Sequence, residues 1–246
     1  MTTTLNEYVY VKTIDYTDDV KDECAKVKNG WTGLLIIKDA LPEVEEITGL
    51  TALSQDLYGS KVIPIGGDDN KDSGHIWHET EMLWHNDRAY SKDVHPVVGL
   101  YCVSAPKGSA STRFCDMQTA YQDATQSLKD KSRITCVNDV DKYFQQIQYP
   151  HTFKEERNER IYRKRSKAKH DLTMTDNSGS WFFFSPAYTH VDHQDELVKH
   201  CLQDKYIYEH VWSNNDLLIY NNLKLIHARG KTPSKVKRRH LRYALR

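Results

Sequence analysis

The sequence is poor in the features that mark exported, membrane-spanning and nucleic-acid-coating proteins. Its five cysteines, Cys24, Cys102, Cys115, Cys136 and Cys201, are odd in number, widely scattered and without a Cys-x-x-Cys pair. Neither a disulfide framework nor a structural zinc cluster is encoded. No apolar run approaches the ~20 residues that a membrane-spanning helix needs. Met1–Tyr10 also lacks the basic start and apolar stretch of an export signal. These absences predict a protein of the reducing cytoplasm with no membrane partner. Excess charge of one sign is missing too: 34 Lys and Arg balance 34 Asp and Glu, which removes the basic field that non-specific nucleic-acid binders use. A small-molecule partner is expected, nucleic acid is not, and a homo-oligomer is left open.

Several familiar motifs are absent as well. There is no Gly-x-Gly-x-x-Gly cradle for a dinucleotide and no Gly-x-Ser-x-Gly elbow. Gly230-Lys231-Thr232 resembles the end of a phosphate loop, but Leu225 stands where its first glycine belongs. His78-Glu79 opens like a zinc-protease helix, but Met82 stands where the second histidine belongs.

What is present can build a core. Fifteen Tyr, six Phe and five Trp in 246 residues supply large apolar surfaces despite a mean hydropathy of -0.71. We expect one domain over residues 1–246, in which residues 1–80 form an α/β lead-in packed on a barrel of residues 81–246. Asp18–Lys28 predicts a helix closed by Asn29-Gly30, Gly33–Lys38 a strand, Leu41-Pro42 a helix to about Leu57, and Gly66–Asn70 a loop. Short β-rich pieces follow at Leu83–Tyr90, Val97–Val103, Ile134–Val137, Ser180–Phe184 and Asp216–Tyr220. Two helices interrupt them, one from Asp116 to Leu128 and one from Gln194 to Gln203. The basic run Lys154–Lys169 predicts a solvated helix or insert. Five cations between Arg160 and Lys167 would suit nucleic acid, but the run lacks the interleaved aromatics of such a surface.

The chemistry centres on Trp84-His85-Asn86-Asp87. On a strand, residues two apart share a face, so an imidazole and a carboxylate can converge on one metal ion. Such a triplet arises easily by chance, and His190-Val191-Asp192 is a second copy. The stretch Asp216–Arg229 carries an apolar strand into a further histidine, His227. Two imidazoles and one carboxylate on one side of a metal leave the opposite positions open, the pattern of oxygen-activating non-haem iron. His190 lies 37 residues before His227 and His85 lies 142 before it. Arginines beyond His227 offer planar donors that could clamp a carboxylate.

Three segments in order, Trp84–Asp87, Pro96 through Gly99-Leu100-Tyr101 and Thr112 to Tyr121, and Asp216–Arg229, resemble the taurine dioxygenase-like family of iron(II)- and 2-oxoglutarate-dependent oxygenases. The resemblance covers about Glu81 to Arg246. It implies a mixed α/β, mainly β fold, a double-stranded β-helix or jelly roll with flanking helices. It further implies Fe(II), 2-oxoglutarate and O2 as cofactor and co-substrates, with His85, Asp87 and His227 as the metal ligands. Thr112 and Arg238, eleven residues after His227, stand where the family holds the far carboxylate of 2-oxoglutarate. Arg242 stands where a second arginine supports the co-substrate or the substrate mouth. Glu81 and Tyr188 fall at substrate-side positions, and the carboxylate of Glu81 would suit an ammonium or guanidinium group. Ser109-Ala110-Ser111 replace the glycines usual before the threonine, and the chain is short for the family, which implies trimmed loops. Asp87 is retained where halogenating relatives lose it, so oxidation of a C–H bond, most simply hydroxylation of a small polar metabolite such as an amino acid, is implied. Two other readings of the same residues stay open: a zinc hydrolase with the same three ligands, and a non-catalytic barrel that binds a carboxylate or nucleic acid.

Overall fold

Leu217–Asn221 is buried along its whole length, as a strand covered on both faces must be. In the computed structural model, which describes residues 2–5, 10–16, 19–31, 33–54, 60–66, 81–142, 167–231 and 236–246, this strand lies at the centre of the larger of two facing sheets. In chain order the strands are β1 (Thr2–Leu5), β2 (Tyr10–Asp15), β3 (Leu34–Lys38), β4 (Val62–Gly66), β5 (Met82–His85), β6 (Val97–Ser104), β7 (Thr112–Asp116) and β8 (Thr135–Asp139). They continue with β9 (Lys167–Asp171), β10 (Thr173–Asp176), β11 (Gly179–Phe182), β12 (Thr189–His190), β13 (Ile207–His210), β14 (Leu217–Asn221), β15 (Leu225–Arg229) and β16 (Arg239–Leu245). The helices are α1 (Val20–Lys28), α2 (Val44–Thr48), α3 (Met117–Asp123), α4 (Gln126–Lys131) and α5 (Gln194–Cys201).

The larger sheet runs β1-β2-β3-β14-β6-β16-β4, with only the β2–β3 pair parallel, and the smaller runs β13-β7-β15-β5. Strand alternation sorts their side chains into layers. Leu34, Ile36, Val98, Leu100, Leu218 and Tyr220 of the larger sheet meet Phe114 and Leu225 of the smaller one. The outer face of the larger sheet packs Leu35, Ile37, Leu217 and Ile219 against Val20, Cys24 and Val27 of α1 and Val44 and Ile47 of α2. The outer face of the smaller sheet packs Cys115 and Ile226 against α3 and α5. This is the jelly-roll architecture with flanking helices. All five cysteines are buried free thiols, and no described helix is long and apolar enough to cross a membrane.

Several expectations are corrected. The first strands are not a lead-in resting on the barrel: β3 pairs with β14 and β4 with β16, inside the larger sheet. The helix expected to reach Leu57 stops at Thr48, because Gly49 takes a left-handed φ of 65°, after which Ala52 bridges to Leu245. The helix expected from Asp116 to Leu128 is two helices, since Ala124 is extended and Thr125 caps α4 through Leu128 N–H. Asp216–Arg229 is two strands in two different sheets, joined at Asn222-Leu223-Lys224. Leu83–Tyr90 is strand only to His85, and a turn follows. Residues 67–70 of the expected loop and 154–166 of the basic run lie outside the described residues. The end of that run, Lys167–Lys169, is strand, where Ala168 is buried and Lys167 pairs with Asp139 at 2.7 Å.

Candidate metal centre

Register brings the first and last candidate ligands together. His227 on β15 is directly opposite His85 on β5, and their ring centroids are 4.3 Å apart. Asp87 is not on the strand face that spacing suggests. It stands in the turn after β5, with Arg88 at a φ of 60°, and its Oδ1 lies 3.6 Å from His85 Nε2 and 3.9 Å from His227 Nε2. The ligand atoms of His85, Asp87 and His227 all fall within 4.8 Å of one another, and all three residues are buried. His85 Nδ1 is 2.6 Å from Leu83 O, which places its proton there and leaves the Nε2 lone pair facing the cluster. Burial, reinforced by His85, pushes the His227 imidazole down to about 3, so it is an uncharged donor at neutral pH. Burial opposes ionisation of Asp87, but Arg242, His85 and His227 outweigh it and hold the carboxyl well below its ordinary range. Asp87 Oδ2 is buried with no hydrogen-bond partner. A buried carboxylate beside two imidazole nitrogens, with its second oxygen lacking a partner among the described residues, fits a divalent cation.

Asn222, at the corner between β14 and β15, holds this turn. Its Oδ1 accepts from Asp87 N at 2.8 Å, and its Nδ2 donates to Asp87 O at 3.0 Å and His95 O at 2.8 Å. Asn86 points away from the ligands, bonded to Asn222 O and Ser185 Oγ, and Trp84 packs under the Arg113 guanidinium, as the alternation on β5 predicts. Arg242 reaches Asp87 Oδ1 at 3.0 Å. Tyr188 stands edge-on to His85 at 5.7 Å and to Tyr90 at 5.2 Å, so the aromatic expected near the substrate lies against a ligand. Glu81 is exposed, one residue before β5, roughly 13 Å along the strand from His85. His190 is on the surface, 3.9 Å from Asp139, and His193 bonds Ser132; neither joins the cluster.

A second polar group lies beside the first. Thr112 is directly opposite Arg229 on β15 and accepts a bond from Trp212 Nε1 at 2.9 Å. Trp212 packs edge-on to His240 at 4.3 Å, and His240 Nδ1 accepts from Arg238 Nε at 3.1 Å. Thr112 and Arg238 are thus linked through one indole and one imidazole, and Arg238 Nη1 also donates to Ala110 O at 3.2 Å. Arg238 is only 5% exposed and meets no carboxylate among the described residues. Burial and the neighbouring Arg229 push its guanidinium down to about 9. A buried cation without an anion fits a carboxylate ligand. Sequence reading missed Trp212, His240, Arg229 and Asn222. Only His240 had a signal there, since it is two residues from both Arg238 and Arg242 in the sequence.

A family model for the taurine catabolism dioxygenase TauD, TfdA family matches residues 32–245. The chain belongs to this family. It is 25% identical over 174 residues to the alpha-ketoglutarate-dependent 2,4-dichlorophenoxyacetate dioxygenase of Burkholderia sp. (strain RASC). That match takes in 66% of this chain and 57% of the relative, so the chain spans less than two thirds of the relative's length. Among solved structures, AAD-2 in complex with Mn(II) and N-oxalylglycine superposes with a TM-score of 0.75 at 18% identity, over 97% of this chain and 95% of that one. A taurine dioxygenase from Burkholderia xenovorans superposes at 0.66 with 12% identity, over 97% and 86%. These two likenesses place the chain in the TauD/TfdA fold.

Proposed function

We propose that the chain is an Fe(II)- and 2-oxoglutarate-dependent dioxygenase that hydroxylates a C–H bond of a small polar metabolite, an amino acid or a derivative of one. The reading rests on one observation: a buried His85, Asp87 and His227 cluster whose ligand atoms lie within 4.8 Å, in a chain of the TauD/TfdA family. In this reading the three side chains hold iron, while Thr112 and Arg238 hold the far carboxylate of 2-oxoglutarate. When bound, iron and 2-oxoglutarate supply the activation of O2, with release of succinate and carbon dioxide. The protein supplies position and exclusion of water. Leu83 O orients His85, Asn222 orients Asp87, and Phe114 and Tyr220 pack beside His227 at 6.1 and 5.4 Å. Arg242 keeps Asp87 ionised, and Tyr188 forms an aromatic wall on the substrate side. Glu81 offers a rim carboxylate to a cationic substrate group, and an unchanged KM in Glu81→Gln would remove it from that role. The whole chain acts as one catalytic domain, and its buried thiols suit a reducing cytoplasm.

The test is anaerobic addition of Fe(II) and 2-oxoglutarate, followed by O2 and a panel of polar metabolites. A visible charge-transfer band that substrate perturbs, and then succinate, is expected. Neither zinc hydrolysis nor silent carboxylate binding produces succinate, so its absence with every candidate, together with absence of the band, refutes the reading.

A further inference from the structure

On strand β16 His240 shares a face with Arg242, about 7 Å away along the strand, and Arg238, one residue before the strand begins, turns its Nε onto the His240 ring. It stands between the guanidinium that bonds Ala110 O, two residues before Thr112, and the one that bonds Asp87. Its ring is 1% exposed, and its two nitrogens differ. Nδ1 lies 3.1 Å from Arg238 Nε, and a guanidinium can only donate, so Nδ1 presents its lone pair. Burial, followed by Arg238, Arg229 and His210, keeps the imidazole well below its ordinary value and therefore neutral. The single ring proton is thus on Nε2, which is buried and meets no acceptor among the described residues. Interiors rarely leave such a donor unused unless a ligand or water completes it.

Two neighbours indicate what that ligand is. Arg238 is a buried cation bonded only to His240 Nδ1 and Ala110 O, with its remaining N–H groups uncommitted to any anion among the described residues. Thr112 Oγ1 already accepts from Trp212 Nε1, so its own proton is left to donate. Thr112 and His240 both touch the Trp212 indole, Arg238 touches His240, and none of the three has an anionic acceptor among the described residues.

We propose that His240 donates its Nε2 proton to the far carboxylate of the dicarboxylate co-substrate, as a third donor beside Thr112 and Arg238. The inference rests on the 2-oxoglutarate reading above and extends it to a residue that Arg238 locks in the donating tautomer. His240 and Arg238 then act as a unit: the arginine binds the acid and also fixes which imidazole nitrogen carries the proton.

The experiment measures binding to Mn(II)-loaded protein by calorimetry, with 2-oxoglutarate and with 2-oxopentanoate, which has the same keto-acid end but no far carboxylate. His240→Met is expected to weaken 2-oxoglutarate about ten- to hundredfold, as loss of a charge-assisted bond does, and to leave 2-oxopentanoate unchanged. His240→Gln, which keeps an N–H near the Nε2 position, should recover part of the loss. In the unaltered protein, the Nε2-bound proton of His240 should move in nitrogen-15 spectra when 2-oxoglutarate is added and not when 2-oxopentanoate is. Equal weakening of both acids, no weakening of either, or an unmoved Nε2 signal overturns the inference. If His240→Met does not fold, the spectrum of the unaltered protein decides. Unaltered protein that binds no 2-oxoglutarate at all refutes the parent reading too, whereas binding that is insensitive to His240 removes only this inference.

Discussion

Replacing Asn222 with Ala should damage both the fold and the metal centre, because one amide satisfies three buried backbone groups. Asp87 N–H, Asp87 C=O and His95 C=O lose their partners together, at a residue with no exposed surface. At about 1 kcal/mol for each bond, and up to about 3 where the orphaned group stays dry, the loss should be about 3–5 kcal/mol. For a chain of this size a 3 kcal/mol loss lowers Tm by about 6–12 °C. The turn carrying Asp87 would loosen as well, and metal affinity should fall about 10- to 100-fold, as when outer contacts of a metal site are removed. Asn222→Asp is the sharper variant. It keeps the acceptor for Asp87 N–H but turns an oxygen toward two carbonyl oxygens and buries a charge, so it should be no better than Ala. Urea unfolding and a chelator competition for Mn(II) measure the two effects. Losses under about 1 kcal/mol with unaltered metal affinity, or an Asp variant that behaves like the native chain, would refute the argument.

Three further outcomes follow from other residues. Asp216 is buried, which opposes its ionisation, but His210 at 3.0 Å, Lys38 at 2.7 Å and Ser213 N–H hold its pKa below the ordinary 3.8. Its contribution is therefore complete above that value and is lost as pH falls through the lower folded value. Asp216→Asn should cost about 2–4 kcal/mol in urea unfolding at pH 7 and markedly less near pH 3; a gap that does not narrow refutes the assignment. Gly49→Ala must force a side chain into a φ of 65°, and thermal unfolding should register a loss of about 1 kcal/mol. Lys224 is fully buried, with Nζ on Gly30 O at 2.9 Å, Ser178 Oγ at 2.5 Å and Asp176 Oδ2 at 2.7 Å, beside Trp181. Lys224→Met keeps the packing but leaves Gly30 O only the longer bond from Ser178 Oγ at 3.4 Å. It should cost about 1–3 kcal/mol, and recovery of full stability in an Asp176→Asn background would show that the carboxylate, not Gly30, sets the cost.

Local chemistry made some of this legible and left the rest unread. The β-rich alternation and the helices near Val20–Lys28 and Gln194–Cys201 could be read because each depends on spacing along one strand or helix, whereas the His85, Asp87 and His227 set followed from the family resemblance, since Asp87 stands in a turn and not on the face of β5. The over-long helices failed where a single residue decides the end: Gly49 by its φ and Thr125 by its cap, both of which a helical apolar pattern passes over. The strand drawn through Asp216–Arg229 failed for a different reason. Asn221-Asn222 breaks the apolar run and signals a turn, but nothing local states that the chain changes sheets there.

By itself, then, the sequence determined the kinds of element and named three candidate ligands, because backbone periodicity and side-chain chemistry are carried by neighbours in the chain. Only the tertiary structure decided that Asn222 holds Asp87 from 135 positions away and that Trp212 bridges Thr112 to His240. It alone decided, too, that Arg238 is buried without an anion among the described residues. Burial and the absence of a partner depend on everything that packs around a group, and no local segment carries that information.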